Sequence, residues 1–599
     1  MQWIVLMGAM GDVRPADLAY EPFFETFPYS TGDNMRTGLV CLTIALLLTT
    51  MIGCAPAGPA PRSSSEPPGS SSPRATKRVT AAIQTESPSL YNQLNPSGAR
   101  SPGGAVELLV NSGLTTHDNQ GTLLPRLAEA VPTLDNRQWQ LSPDGSMDTT
   151  WRIRDGAQWH DGAPITSDDF AFTVQVLQDK AVPELASDTF QAMTAVDTSD
   201  SRTVVVRWAK PNITADSVFN MPPLPRHLVE KSYLESKATF TEHRYWRDEF
   251  VGAGPFKLQA WHQGSHISLE ANDRYVLGRP KIDFIDVRFI LDSNVLIANI
   301  VGGSVDVPLS ARISIEQALQ IRGMWQDGVV YIEPRSYLVI YPQFIDPTPP
   351  VVRDVRFRRA MLQAIDRQQM ADTIQAGLVP VADSYVSPSY SQYVAIEPSI
   401  VKYDYDPRKA TQAIEELGYT RGADGMFRDA NAPLSVELRA IGDGAFQEKS
   451  LYTIADYWTR VGVATNPVII PRQRQPEREY RATFPAFEQL RQPNNINEID
   501  LFISSQARLP ETNFAGRNYA RYRNADWDAL IERHRVTIPI GERTQILAQL
   551  MRHMTEQLVV MPLFHDADVS PYPNRMINGT PSKAEGAPVT WNAHEWDVK

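Results

Sequence analysis

The chain reads as an α/β protein of two or three domains carried behind an export segment and a tether. Three observations predict this. Short β-branched or alternating runs interleave with amphipathic helical runs along most of the length. About 520 residues follow the tether, too many for one ordinary domain. The only cysteines are Cys41 and Cys54, so a folded body beyond them rests on core packing without disulfides or cysteine-bound zinc.

The N-terminal elements come first. Seventeen uncharged, mostly apolar residues run from Thr37 to Gly53 and end in Met51-Ile52-Gly53-Cys54. Such a short apolar core, preceded by Arg36 and closed by small residues before a cysteine, has the pattern of a lipoprotein signal, residues 35–53, with Cys54 lipidated. The competing reading is a membrane-spanning helix, which would keep residues 35–53 in the mature protein. Residues 1–34 carry Asp12, Asp17, Glu21, Glu25 and Asp33 and no export logic, so they are expected to be a non-native extension with translation starting at Met35. Residues 54–78 are rich in Pro, Ser and Gly and poor in large apolar side chains, which predicts a disordered tether.

Within the body, strands are expected at Thr203 to Trp208, Ser265 to Glu270, Asp286 to Ile290, Tyr337 to Tyr341 and Leu434 to Ala440. One helix is expected from Asp354 to Ala376, with Val355, Phe357, Met361, Ile365, Met370 and Ile374 on one stripe and Gly377 as its stop. A second runs from Pro407 to Leu417, with Asp406 as N-cap and Gly418 beyond its end. The net charge of −12, with acids spread along the chain, argues against a nucleic-acid partner.

Nine collinear segments carry a resemblance. They begin with LLPRLAEAVPTL and TTWRIRDGAQWHDGAPITSDDFAFTVQVLQD, and continue with PLPRHLVEK, VGAGPFKLQAWHQGSHISLEANDRY, GRPKIDFIDVRFI and GGSVDV. VRDVRFRRAMLQAIDRQQMADTIQAG, YDYDPRKATQAIEELGY and YARYRNADWDALIE follow in the second half. In this order the chain resembles the family 5 extracellular solute-binding proteins of ABC importers, the dipeptide, oligopeptide and nickel-chelate binding type. The resemblance implies a two-lobed, periplasmic-binding-protein-like (type II) α/β fold with an extra subdomain near residues 105–210. It places a first lobe at 79–332, a second at 333–499 and a return to the first at 500–599, with crossings near Glu333 and Asp500. EPRSYLVIY and EIDLFIS are taken as the crossing strands. Trp159, His160 and Asp161 are read as turn and core chemistry.

The same resemblance implies a monomer that is no enzyme, needs no cofactor or metal, touches the membrane only through its lipid, and serves permease subunits outside the cytoplasm. Its solute would be small, with oligopeptide or dipeptide as the leading class and oligosaccharide, opine or metal chelate left open. Ligand contacts are expected from Ser87, Tyr91 and Asn92 after the first strand, from Arg335, Tyr337, Tyr341 and Gln343 at the start of the second lobe, and from Ser504, Gln506 and Arg508 after the return. Tyrosine rings offer flat contact and arginine a bidentate grip on carboxylates. Peptide binders of the family hold the peptide ammonium with an aspartate after the return strand. Here FISSQARLPETNF has its first acid at Glu511, so either Glu511 or another acid substitutes, or the solute is not a free-amine peptide.

The rival class is an extracellular enzyme. HExxH, GxSxG and P-loop signatures are absent, and His262 and His266 flank an expected turn instead of sharing a helical face. A third reading, presentation of the solute to a sensor or envelope component, has no discriminator in the residues.

Overall fold

The computed structural model describes residues 75–95 and 102–599, apart from 311, 431, 443–444, 495 and 585–586. The signal, Cys54 and most of the tether lie outside the described residues. Among the described residues no helix is long and apolar enough to cross a membrane.

Three sheets organise the body. In the first, Val307–Ser310, Arg78–Ile83 and Phe284–Phe289 run parallel, and His266–Ala271 and Phe256–His262 continue the sheet antiparallel. An antiparallel four-stranded sheet of Trp139–Leu141, Met147–Arg152, Thr203–Trp208 and Met193–Asp197 lies inside the expected extra subdomain and packs into the same core. The third sheet orders Ala464–Ile470, Ser435–Ile441, Phe487–Pro493, Gly328–Pro342 and Met561–Pro573. The expected strands at 203–208, 265–270, 286–290, 337–341 and 434–440 all fall in strands, within a residue or two at their ends or inside longer ones.

The GAGPF turn shows how backbone positions a wall of the later site. A Cβ on Gly252 would meet Val110 O at 1.9 Å, and one on Gly254 would meet Asn111 N at 2.4 Å. Only glycine lets this turn lie against the end of the helix Pro102–Val110, where Gly254 N donates to Val110 O at 3.1 Å. His160 locks the turn from the other side. Its Nδ1 accepts from Gly252 N at 3.2 Å and its Nε2 faces Gly254 O at 3.1 Å, which fixes the neutral tautomer. Trp159 is buried, and Asp161 meets His227 at 2.7 Å. The aromatic-His-Asp turn is thus structural, as its residues suggested.

Two expectations are corrected. The helix over 354–376 is two helices, Val355–Gln363 and Arg367–Ile374. Asp366 caps the second through Gln369 N at 2.8 Å, and the buried Arg367 guanidinium reaches Ala382 O and Tyr403 O at 2.7 Å each. Those tertiary bonds outweigh continuity of one stripe. Gly377 and Gly418 do take left-handed φ of 66° and 93°.

The expected strand at EIDLFIS is instead a pair of 3-10 turns, Ile496–Phe502 and Ser504–Gln506. Its carbonyls are engaged elsewhere: Asn518 Nδ2 donates to Phe502 O at 3.1 Å and Ile503 O at 3.2 Å, and Trp527 Nε1 donates to Phe502 O at 3.1 Å. A carbonyl committed to such donors leaves no ladder. Most of the buried apolar residues in 499–560 share a core with Tyr337, Val339 and Tyr341. The strands that pair with Gly328–Pro342 are Phe487–Pro493 on one side and Met561–Pro573 on the other.

The two long strands, Gly328–Pro342 and Met561–Pro573, form the antiparallel hinge ladder. Its register skips at Pro334: Pro334 faces Ala567 and Ser336 faces Asp566, leaving Arg335 as the extra residue. Proline has no N–H for the ladder, and strands tolerate it at bulges, which re-aim the extra side chain.

Candidate functional site

A cavity of about 1170 Å³ lies between the first core and the hinge strands. Two walls of different chemistry bound it. On the first-core wall, the helix Pro102–Val110 presents Glu107, whose Oε1 accepts from Asn92 N at 2.9 Å. Burial pushes the Glu107 carboxyl up to about 8, against the lowering effect of that bond, so it is largely uncharged at neutral pH. Beside it, Asn220 Nδ2 contacts His117 Nδ1 at 3.1 Å, and Thr115 Oγ1 donates to Asn220 Oδ1 at 2.6 Å. Burial holds His117 below its ordinary value. This wall is polar and nearly uncharged.

The opposite wall is ionic. Asp568, on Met561–Pro573, sits between Arg335 Nη1 at 3.2 Å and Arg491 Nη2 at 3.1 Å. Arg491 also pairs with Asp566, whose second oxygen accepts from Gln375 Nε2 at 2.9 Å. The bulge at Pro334 brings Arg335 to the cavity, and the end of Phe487–Pro493 brings Arg491 and Pro493. Arg312 completes the rim; its backbone N–H is held by Gln84 Oε1 and its guanidinium is exposed. Among the described lining residues, the acids are Glu107 and Asp568, against Arg312, Arg335 and Arg491.

Of the residues singled out in the sequence, Asn92 and Arg335 line this cavity. Ser87 is buried on the same loop but outside the lining, and Tyr91 is a core residue whose ring lies 5.4 Å from Trp246. Tyr337 and Tyr341 are fully buried on the far side of the hinge sheet, against Tyr385 and Tyr519. Gln343 holds Ala482 O and Phe484 O at 3.0 Å each. Ser504 Oγ accepts from Asn524 N at 3.3 Å, and Gln506 Oε1 accepts from Arg517 N at 3.3 Å. Glu511 is exposed on a separate turn, and Arg508 lines a second, smaller cavity. Reading missed Arg491, Asp568 and Glu107. The signal that would have found the first two is the pairing of FEQLRQP and MPLFHDADV with the YLVIY strand. His262 and His266 stack at 4.6 Å across their hairpin, and no group of three potential metal ligands occurs among the described residues.

A cavity walled by one core and floored by hinge strands is the arrangement expected of a two-lobed binding protein. The family model for bacterial extracellular solute-binding proteins, family 5, matches residues 125–506, more than half of the chain. The chain belongs to that family. It is a solute-binding protein of ABC-importer type and not an enzyme, from a family that works outside the cytoplasm with permease subunits. Over 510 residues it is 24% identical to the oligopeptide-binding protein AppA of Bacillus subtilis, covering 83% of this chain and 87% of that one. It is 23% identical over 507 residues to the heme-binding protein A of Haemophilus influenzae, covering 80% and 88%. Among solved structures, NikZ of Campylobacter jejuni with Ni(L-His) superposes with a TM-score of 0.69 at 20% identity, covering 87% of this chain and 99% of that one. The expected two-lobed family 5 fold is therefore present.

Proposed function

We propose that the protein is the lipid-anchored binding component of an ABC importer, a monomer that captures an oligopeptide or dipeptide between its lobes and delivers it to the permease. The observation that carries this reading is the cavity of about 1170 Å³ at the hinge. Small-molecule sites run to about 1000 Å³, so the space suits a short peptide or a bulky small solute. Asn92 and Arg335 are the proposed contacts from the residues singled out above, joined by Arg312 and Arg491. The lobe that begins with the first hinge strand is proposed to extend to the returning one, near residue 565.

A second reading has its own support. The lining offers no free ionised carboxylate among the described residues: Glu107 is uncharged and Asp568 is held by two arginines. A peptide ammonium would meet no ready partner there, whereas an acidic chelate would meet Arg312. The B. subtilis relative is named for oligopeptides, and the C. jejuni neighbour holds a nickel chelate. Mass spectrometry of the solute eluted from natively purified protein decides between them. A free-amine peptide supports the first reading, a metal-chelating acid the second, and chemical turnover of added solute would overturn both.

The anchor is tested separately. Cys54→Ala is expected to abolish labelling by a radioactive fatty acid and to leave the chain unprocessed or released. Undiminished labelling would remove the lipid from this account.

A further inference from the structure

Arg508 lines a second cavity, of about 340 Å³, together with Arg478, Arg481, Phe514, Gly516 and Tyr519. It contains none of the residues of the hinge cavity. Three guanidiniums converge on it, and no carboxylate lines it among the described residues.

Each arginine is held so that donors remain for something else. Arg508 lies over the Tyr519 ring at 3.8 Å and spends its Nε on Gly516 O at 2.9 Å, leaving its two terminal nitrogens without a hydrogen-bond partner among the described residues. Arg481 is 8% exposed and pairs through Nη2 with Glu488, a fully buried carboxylate, while its Nε has no hydrogen-bond partner. Arg478, one helical turn earlier on Arg478–Ala482, is exposed at the mouth and pairs with no acid among the described residues. Three cations against Glu488 leave the cavity with surplus positive charge, and a buried donor left without a partner is costly.

The far wall is a tight turn. Asn513 and Phe514 take left-handed φ of 50° and 54°, and Gly516 has φ 129° with Gln506 O only 2.2 Å from where a Cβ would sit. This conformation lets the Gly516 carbonyl reach Arg508 and sets Phe514 and Tyr519 as apolar sides. Planar guanidiniums grip carboxylate and phosphate oxygens through paired N–H bonds. We propose that this cavity is an accessory site for a small soluble oxyanion, a phosphate or a carboxylate on a compact body, bound by Arg478, Arg481 and Arg508 independently of the hinge cavity.

The test is calorimetric titration of the purified protein with inorganic phosphate and, separately, with benzoate, at ionic strength held constant with chloride. One equivalent of either anion should bind saturably. Tighter phosphate binding assigns an inorganic oxyanion, and tighter benzoate binding assigns a carboxylate on an aromatic body. R478Q/R508Q should weaken binding at least tenfold; R478Q alone, at an exposed position that no fold contact depends on, should weaken it about threefold. R312Q, on the hinge cavity, should leave it unchanged. Absence of saturable binding by both anions would overturn the proposal. So would binding that R312Q removes while R478Q and R478Q/R508Q retain it, since the anion would then sit at the hinge.

Discussion

The two walls of the hinge cavity hold their acids in opposite ways. Glu107 faces only a backbone N–H and uncharged side chains, so burial keeps its proton on. Asp568 faces two guanidiniums and is ion-paired to both. The difference teaches that charge in the cavity is set by immediate partners and not by composition: the chain carries a net −12, yet its arginines outnumber its ionised acids at this surface.

The largest test of that contrast is Glu107→Gln. A carboxyl raised from 4.5 to about 8 in the folded state stabilises the fold relative to the ionised form below pH 4.5, and this contribution is lost as pH rises toward 8. At about 1.4 kcal/mol per unit, the full effect is on the order of 5 kcal/mol. Glutamine imitates the protonated state, so the variant should equal the parent at pH 4 and exceed it in chemical-denaturation stability by a few kcal/mol at pH 8. Parallel pH profiles for the two proteins would show that Glu107 is solvated and charged.

The hinge side should respond in the other direction. Burial lowers His565, on Met561–Pro573, from 6.5 to about 4, against the raising effect of its bond with the Ser336 backbone. A depressed histidine contributes stability above pH 6.5 that disappears as pH falls toward 4, roughly 3 kcal/mol in full. Histidine NMR titration is expected to show His565 still neutral at pH 5. A midpoint near 6.5 would mean that the hinge strands are open to water.

The smallest effect belongs to the ion pair itself. A double-mutant cycle of Arg335→Gln and Asp568→Asn should give a coupling of about 1 kcal/mol, because Asp568 is 39% exposed and solvent screens the pair. Zero coupling would mean that Arg491 alone holds Asp568.

Much of this fold was legible. TVVVRW is a strand over Thr203–Trp208, and Asp406 caps Pro407–Glu416 through Arg408 N and Lys409 N, as the residue types indicate. The failures have one physical source: long-range partners that local patterns do not encode. FEQLRQP looks too polar for a central strand, but Glu488 is matched by Arg481 and Gln489 Nε2 by Gln447 O at 3.0 Å. EIDLFIS looks like a strand, but Asn518 and Trp527 take its carbonyls. Misplacing that one strand moved the expected contacts to Ser504, Gln506 and Arg508, while the cavity edge falls at Arg491 and Pro493. Tyr337 and Tyr341 were misjudged for a related reason. Alternation would put Arg335 on their face, and the bulge at Pro334 breaks it.

That bulge has a mechanical consequence. Where the two long strands pair, the missing rung at Pro334, with a second register shift between Leu338 and Val339, makes the ladder easier to flex there than over its regular stretch from Gly328 to Pro334. The residue left over at the gap, Arg335, also faces the cargo space. A guest that took hold of it would stiffen the ladder at one of its two irregular points, so that occupancy would be felt as stiffness in the joint.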